Sequence, residues 1–340
     1  MNIDAMNRRG GAGVGVLVVV VVAVLALVGA LVWTVGSTPA GAEAEAVVPA
    51  GVDEARSIEA ALEAAGVYLE RDELGKAEAV LTSAVGEFAE DVPLRLSLAE
   101  VLLRQERIEE AYRQYEAALA IEPNAAAVQF QAGTIAAMLD RTERAAEHYS
   151  MARSMDATVA QYPLYLAAVQ QELGLIGDAK ENFLYALHLD GTDATAAAAL
   201  AQIALDENDR ELALSYARRA REIEPGQPAY VVLEARALQR MARAEEAIGL
   251  LLALPDEALY QVGVLTLASE CLGLLRKFDD AAGLWADAAD ADTGSAEKAF
   301  QAALAFERAG DVEKAKSYAS RAGMLGHAQA GGVVERLGNE

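Results

Sequence analysis

Small, bulky and polar residues return along this chain with a period of 34. Ala77, Ala111, Ala145, Ala179, Ala213, Ala247, Ala281 and Ala315 stand 34 residues apart, with no insertion between them. With each of these alanines counted as the twentieth place, units begin at Ile58, Val92, Ala126, Ala160, Ala194, Pro228, Val262 and Ala296, and the last ends at Gln329. The eighth place reads Ala65, Ala99, Gly133, Ala167, Ala201, Ala235, Ser269 and Ala303, small throughout. The twenty-seventh is small in every unit but the sixth, where Leu254 stands. Bulky side chains lie between these columns, with Leu81, Tyr115, Tyr149, Phe183, Leu251 and Trp285 at the twenty-fourth place and Tyr68, Leu102, Leu238, Leu272 and Phe306 at the eleventh. A small residue kept at one place marks close approach of two helix backbones, and large neighbours fill the groove beside it. The pattern predicts a helical hairpin in each unit. Breaks at Arg71-Asp72, Asp140-Arg141-Thr142, Gly174 and Gly310-Asp311 divide its two helices, and Pro123 and Pro225 end the second one.

The sixth unit departs from the pattern. Glu234 stands where an apolar residue is expected, and Leu254-Pro255 should close the second helix early, with the next helix starting near Asp256 and running long. After the eighth unit, residues 330–340 place Val333, Val334 and Leu337 at helical spacing. The end unit of a stack exposes an apolar face, so this segment reads as a short capping helix, with a free tail as the alternative.

Residues 14–35 form a continuous apolar run whose only polar side chain is Thr34. As a helix it would rise about 33 Å, enough to cross a bilayer core. Arg8 and Arg9 precede it, whereas the first charges after it are Glu43, Glu45, Asp53 and Glu54. This asymmetry places residues 1–13 in the cytoplasm and the repeats on the far side of the inner membrane, in the periplasm or exterior. The rival reading is a cleaved signal peptide, because Ala40-Gly41-Ala42 offers a small-residue cleavage pattern; the apolar run exceeds the usual length of about 7 to 15 residues. Cleavage would leave a soluble secreted protein. Residues 36–57 mix Pro, Gly, Ala and Glu without periodicity and read as a flexible acidic tether.

The charge balance narrows the partners. The 52 acidic and 28 basic residues leave a formal charge of −24, which disfavours nucleic acid and suits a basic or neutral protein. Cys271 is the single cysteine, inside an apolar run, where a thiol behaves as a small buried hydrophobe. His148, His188 and His327 fall at unrelated places in their units and read as surface or boundary residues, without metal-ligand spacing. Gly11, Gly13 and Gly15 lead into the apolar run and not into a strand-to-helix turn, so no phosphate or cofactor loop is expected. Acidic pairs such as Glu109-Glu110 and Asp279-Asp280 sit where helix starts favour negative charge. The search finds no catalytic constellation, cofactor motif or metal site.

The unit Val92 to Ala125, with Leu98, Ala99, Leu102, Ala111, Tyr115, Ala118 and Pro123, resembles the tetratricopeptide repeat, and the resemblance extends in unbroken phase over residues 58–329. It implies an all-α, right-handed superhelical solenoid of eight helix-turn-helix units, and the apolar run of residues 14–35 adds one transmembrane helix before it. The family's typical tryptophan at the fourth place is missing from every unit. It also implies that the first helices line the inside of the superhelix. The inward places then carry Phe130, Gln131, Thr134 and Met138 in unit three, Leu164, Tyr165 and Gln171 in unit four, Gln202 in unit five, and Arg236, Gln239 and Arg240 in unit six. Aromatics beside amides can hold an extended peptide, and Arg236 with Arg240, one turn apart, can take a carboxylate. The Lys and Asn clamp of cytosolic co-chaperones is missing, since the ninth places read Gly66, Glu100, Thr134, Ala168, Gln202, Arg236, Glu270 and Leu304. The expectation is a membrane-anchored, non-catalytic scaffold for protein or peptide partners, or else a binding or regulatory subunit of an envelope enzyme complex such as one for cytochrome c maturation.

Overall fold

The computed structural model describes residues 50–338, with side chains from residue 54 onward, and every regular element among them is a helix. The described residues divide into two compact units, the first ending at Gly191 and the second starting at Thr192. The first contains α1 (Ala50–Glu70), α2 (Leu74–Glu87), α3 (Val92–Arg104), α4 (Ile108–Ile121), α5 (Ala126–Met138), α6 (Thr142–Met155), α7 (Gln161–Glu172) and α8 (Ile176–Leu189). The second contains α9 (Ala194–Asp206), α10 (Arg210–Ile223), α11 (Pro228–Arg240), α12 (Ala244–Leu251), α13 (Asp256–Leu259), α14 (Val262–Leu274), α15 (Phe278–Ala291), α16 (Ala296–Ala309), α17 (Val312–Met324) and α18 (Ala330–Gly338). Within each unit, helices adjacent in the chain pack on one another as hairpins joined by short turns.

The sequence period becomes the structural period. The second helix of every hairpin opens 34 residues after the one before, at Leu74, Ile108, Thr142, Ile176, Arg210, Ala244, Phe278 and Val312. The ladder alanines are fully inaccessible, apart from Ala281 at 5%. Gly133 shows why the eighth place stays small: a Cβ there would lie 2.8 Å from the Tyr149 ring and 3.2 Å from the His148 Cβ. The small first-helix residue therefore lies under the bulky twenty-fourth residue of the second helix. Unit seven shifts this face, with Ala268 fully buried while Ser269 is half-buried.

A column that the sequence pattern did not single out governs the turns. Asp72, Glu106, Asp140, Gly174, Asn208, Ala242, Arg276 and Gly310, again 34 apart, all have left-handed backbone with φ between 56° and 84°. The next residue's N–H donates to the carbonyl five residues back, as from Arg107 to Leu102 at 2.9 Å and from Arg243 to Leu238 at 2.9 Å. This six-residue closure satisfies carbonyls that the end of the first helix would leave orphaned. Six of the eight positions are not glycine, so packing of the hairpin supplies what the local backbone lacks. Elsewhere caps are conventional, with the Asp91 and Asp193 carboxylates accepting from Leu94 N and Ala196 N, each at 2.8 Å.

Three expectations need correction or placement. α12 ends at Leu251, earlier than Leu254-Pro255 suggested, and no long helix follows. Pro255 lacks an N–H and disfavours helix in the residue before it. A single turn, α13, takes up the slack and buries Ala258 and Leu259 where the missing turns of α12 would have packed. Extended backbone at Gln261, with ψ 135°, then stops that turn so that α14 starts on frame at Val262. The second correction concerns the tether, because residues 50–57 already belong to α1; the stretch from Glu54 to Ala65 is rich in strong helix formers and continues the helix outward. Residues 36–49, the N-terminal segment 1–13 and the span expected over residues 14–35 lie outside the described residues. Among those described, no helix is long and apolar enough to cross a membrane. At the other end α18 packs on α17 and buries Ala330, Val333 and Leu337, while Val334 is exposed.

Two substitutions test these constraints by urea unfolding. Gly133→Ala drives a methyl into the Tyr149 ring and should lower stability by about 1–3 kcal/mol; an unchanged midpoint would show that the contact does not limit the hairpin. Ala242→Gly should raise stability by about 1 kcal/mol, because alanine at φ 58° carries a steric penalty that glycine lacks. A loss of stability there would mean that backbone freedom in the unfolded chain outweighs the turn strain.

Candidate partner-binding surface

In the first unit, the predicted residues of α5 and α7 divide into core and surface. Phe130 is half-buried at the centre of an aromatic cluster, its ring centroid 5.5 Å from Tyr149, 5.2 Å from Tyr162 and 5.0 Å from Tyr165. Tyr149, Tyr162 and Tyr165 are all buried. Thr134 is buried too, donating to the Phe130 carbonyl at 3.1 Å and accepting from the Tyr149 hydroxyl at 3.2 Å. Burial, slightly offset by that bond, holds the Tyr149 phenol well above its ordinary range, so it stays a donor. Gln131 is half-buried and its amide oxygen accepts from the Tyr115 hydroxyl. Thr134 and Tyr165 thus belong to the hairpin interior and not to an accessible face. Phe130, Gln131, Met138, Leu164 and Gln171 are half-buried and keep part of their surface in water.

In the second unit, the predicted residues lie on α9 and α11. The Gln202 amide donates to Asp206 at 2.9 Å, one turn along α9. The Gln239 amide donates to Glu270 on α14 at 2.6 Å. Arg236, half-buried, and Arg240, exposed, lie one turn apart on α11, and neither has an ion-pair partner among the described residues. Most arginines nearby are engaged: Arg218 and Arg221 hold Glu234, and Arg243 holds Glu246 at 2.6 Å. Two adjacent guanidiniums without a carboxylate are the available anion-binding groups of this helix.

Two polar clusters were not legible as such in the sequence. Glu234, the misfit of unit six, is 2% exposed. Its two oxygens accept from Arg218 Nε at 3.0 Å and Arg221 Nε at 2.5 Å, both on α10. A buried carboxylate is tolerated only when paired in this way, and the Arg-x-x-Arg spacing one helix upstream was the signal for it. The other cluster surrounds His148, which is buried and not at the surface as expected. His188 is exposed, and His327 stacks on Phe300 with ring centroids 3.9 Å apart. Cys271 is fully buried, and burial, helped by Glu270, pushes its thiol up to about 11.

Where α12 stops short, an open cleft of about 550 Å³ lies against Asp256, Glu257, Tyr260, Gln261, Asp292 and Lys298. Its one ammonium group is committed, since Lys298 Nζ pairs with Asp292 at 3.1 Å. Among the described residues no group of three or more His, Cys, Asp and Glu side chains is placed to hold a metal ion.

Residues 68–132, from the last turn of α1 to the middle of α5, match the tetratricopeptide repeat family model. No curated protein matches the chain. Among solved structures, a tetratricopeptide repeat protein from Parabacteroides merdae ATCC 43184 is similar at 16% identity with a TM-score of 0.51, covering 69% of this chain and 93% of that one. Pseudomonas aeruginosa PilF is similar at 20% identity and TM-score 0.49, covering 59% and 91%. PilW, a type IV pilus biogenesis factor, is similar at 17% identity and TM-score 0.49, covering 61% and 96%. The family match is confined to residues 68–132, and the likeness to the Parabacteroides protein is one of helical-repeat fold.

Proposed function

We propose that this protein is a membrane-anchored, non-catalytic scaffold that captures a protein partner on the extracytoplasmic side. The helical-repeat fold is one that serves protein interaction, and the anchor rests on the apolar run of residues 14–35 with its basic residues on the N-terminal side. One observation carries the binding reading. In a chain of net charge −24, Arg236 and Arg240 project from one face of α11 with no carboxylate among the described residues to neutralise them. The partner presents a carboxylate, from a side chain or a chain terminus, to this pair. Its remaining surface is neutral or basic, because the scaffold around the two arginines is acidic. Phe130, Gln131 and Leu164, each half-exposed on the first helices of the other unit, offer apolar and amide contacts of the kind an extended peptide uses.

Two experiments test this reading. Replacing Arg236 and Arg240 with Glu should reduce the partner recovered by crosslinking in intact cells by at least about tenfold, with the helical circular dichroism unchanged; equal recovery would remove the pair from the surface. A reporter active only in the periplasm, fused after Glu340, should give signal, and signal from a cytoplasm-only reporter instead would reverse the topology.

A further inference from the structure

His148 lies on α6 at 6% exposure, at the joint where the second helices of two successive repeats, α4 and α6, approach each other. Its hydrogen-bond network determines which nitrogen carries the proton. The Gln129 side-chain amide nitrogen donates to the Pro123 carbonyl at 3.2 Å, which turns the Gln129 amide oxygen toward the ring, 2.8 Å from Nδ1. That oxygen can only accept, so Nδ1 is the donor, and Nε2 of the neutral ring bears a lone pair. Two groups of α4 converge on Nε2: the Tyr112 hydroxyl at 3.1 Å and the Glu116 carboxylate at 3.2 Å.

These two groups make opposite demands. A neutral ring accepts from the Tyr112 hydroxyl and gains nothing from a carboxylate beside its lone pair. A charged ring has an N–H at Nε2, which donates to the carboxylate and has nothing for the tyrosine to donate to. We infer that His148 is a proton-operated switch between two hydrogen-bonded states of this joint, bonded to Tyr112 when neutral and to Glu116 when charged. The Nδ1–H bond to Gln129 is present in both states, so the ring stays in place while its partner on α4 changes. The displaced Tyr112 hydroxyl retains an acceptor, because it too lies within reach of Glu116.

The charges acting on the ring are Glu116 from α4 and Glu147 and Arg144 from α6, and the Arg141 guanidinium lies over the Tyr112 ring at 5.2 Å. Burial is the strongest influence and holds His148 below the ordinary imidazole value; Glu116 and Glu147 oppose it and Arg144 reinforces it. The neutral, Tyr112-bonded state is thus the resting one, and the Glu116-bonded state forms as pH falls below the ordinary range. This inference is independent of the partner-binding reading, since the switch is built from groups inside the repeats.

The test is a titration of the imidazole Cε1–H signals of the full-length protein by NMR. Only three histidines are present, and His148→Gln identifies the signal. The His148 midpoint should lie below about 6.5. Tyr112→Phe, which removes the donor to the neutral ring but keeps the aromatic packing, should raise it. Glu116→Gln, at a half-exposed position, should lower it, each by about half a unit or more. Opposite shifts are the signature of exchange between the two partners, because a general loosening of the joint would relieve burial and raise both. Equal midpoints in the three proteins, or shifts in the same direction, would overturn the switch.

Discussion

Close approach of the two helices within each hairpin is the constraint on which the rest of this structure depends. Where the first helix passes the second, only a hydrogen or a methyl fits beneath the bulky side chain of the twenty-fourth place. At Gly133, under Tyr149, even a Cβ would lie 2.8 Å from the ring. Dispersion and apolar burial at such a crossing depend on steep functions of distance, so the small columns cannot drift. Eight ladder alanines at or near zero exposure are the consequence. A helix pair held at that distance must be joined by a connection of constant length, which is why one residue of every turn adopts left-handed backbone whether it is Gly, Asn, Asp or, against local preference, Ala242 or Arg276. The crossing dictates the turn, and the turn pays in backbone strain.

Unit six shows how much departure the frame absorbs. Its second helix has 8 residues where its counterparts in the other hairpins have 13 or 14, and the first helix carries a buried carboxylate. Each deviation is compensated nearby. Two arginines of α10 neutralise Glu234, and a single helical turn at α13 restores apolar cover. Because the unit still contains 34 residues, α14 starts on frame. The compensation leaves an open cleft beside α13, whose lining carries the carboxylates of Asp256, Glu257 and Asp292 against one ammonium group, that of Lys298.

The fold was largely legible before any coordinate, because hairpin packing acts on residue size and size is written in the sequence. The frame of the hairpins and the buried ladder follow from the 34-residue period, and the terminal helix from the helical spacing of Val333 and Leu337. The candidate surface was far less legible. Thr134 and Tyr165 share the inward register with Phe130, yet both are buried by the aromatic cluster that Tyr149 and Tyr162 complete. Register says which way a Cβ points, and not how far a neighbouring side chain reaches over it. The partners of Gln239 and Glu234 stand on other helices, 13 to 31 residues away, and the period carries no information about such pairs.

By itself, then, the sequence determined the repeat, its frame, the positions where helices must approach and the acidic charge balance. These are properties of residue size, spacing and net charge, and each is local or additive along the chain. Tertiary structure alone decided which polar groups are satisfied internally and which keep no ion-pair partner among the described residues. Arg218 and Arg221 are consumed by Glu234 while Arg236 and Arg240, with the same chemistry on the next first helix, are not. It also decided that His148 would be buried between Gln129, Tyr112 and Glu116 and not left at the surface. The physical reason is the range of the forces involved: a hydrogen bond or ion pair is won or lost within an ångström, a distance that only the packed helices define.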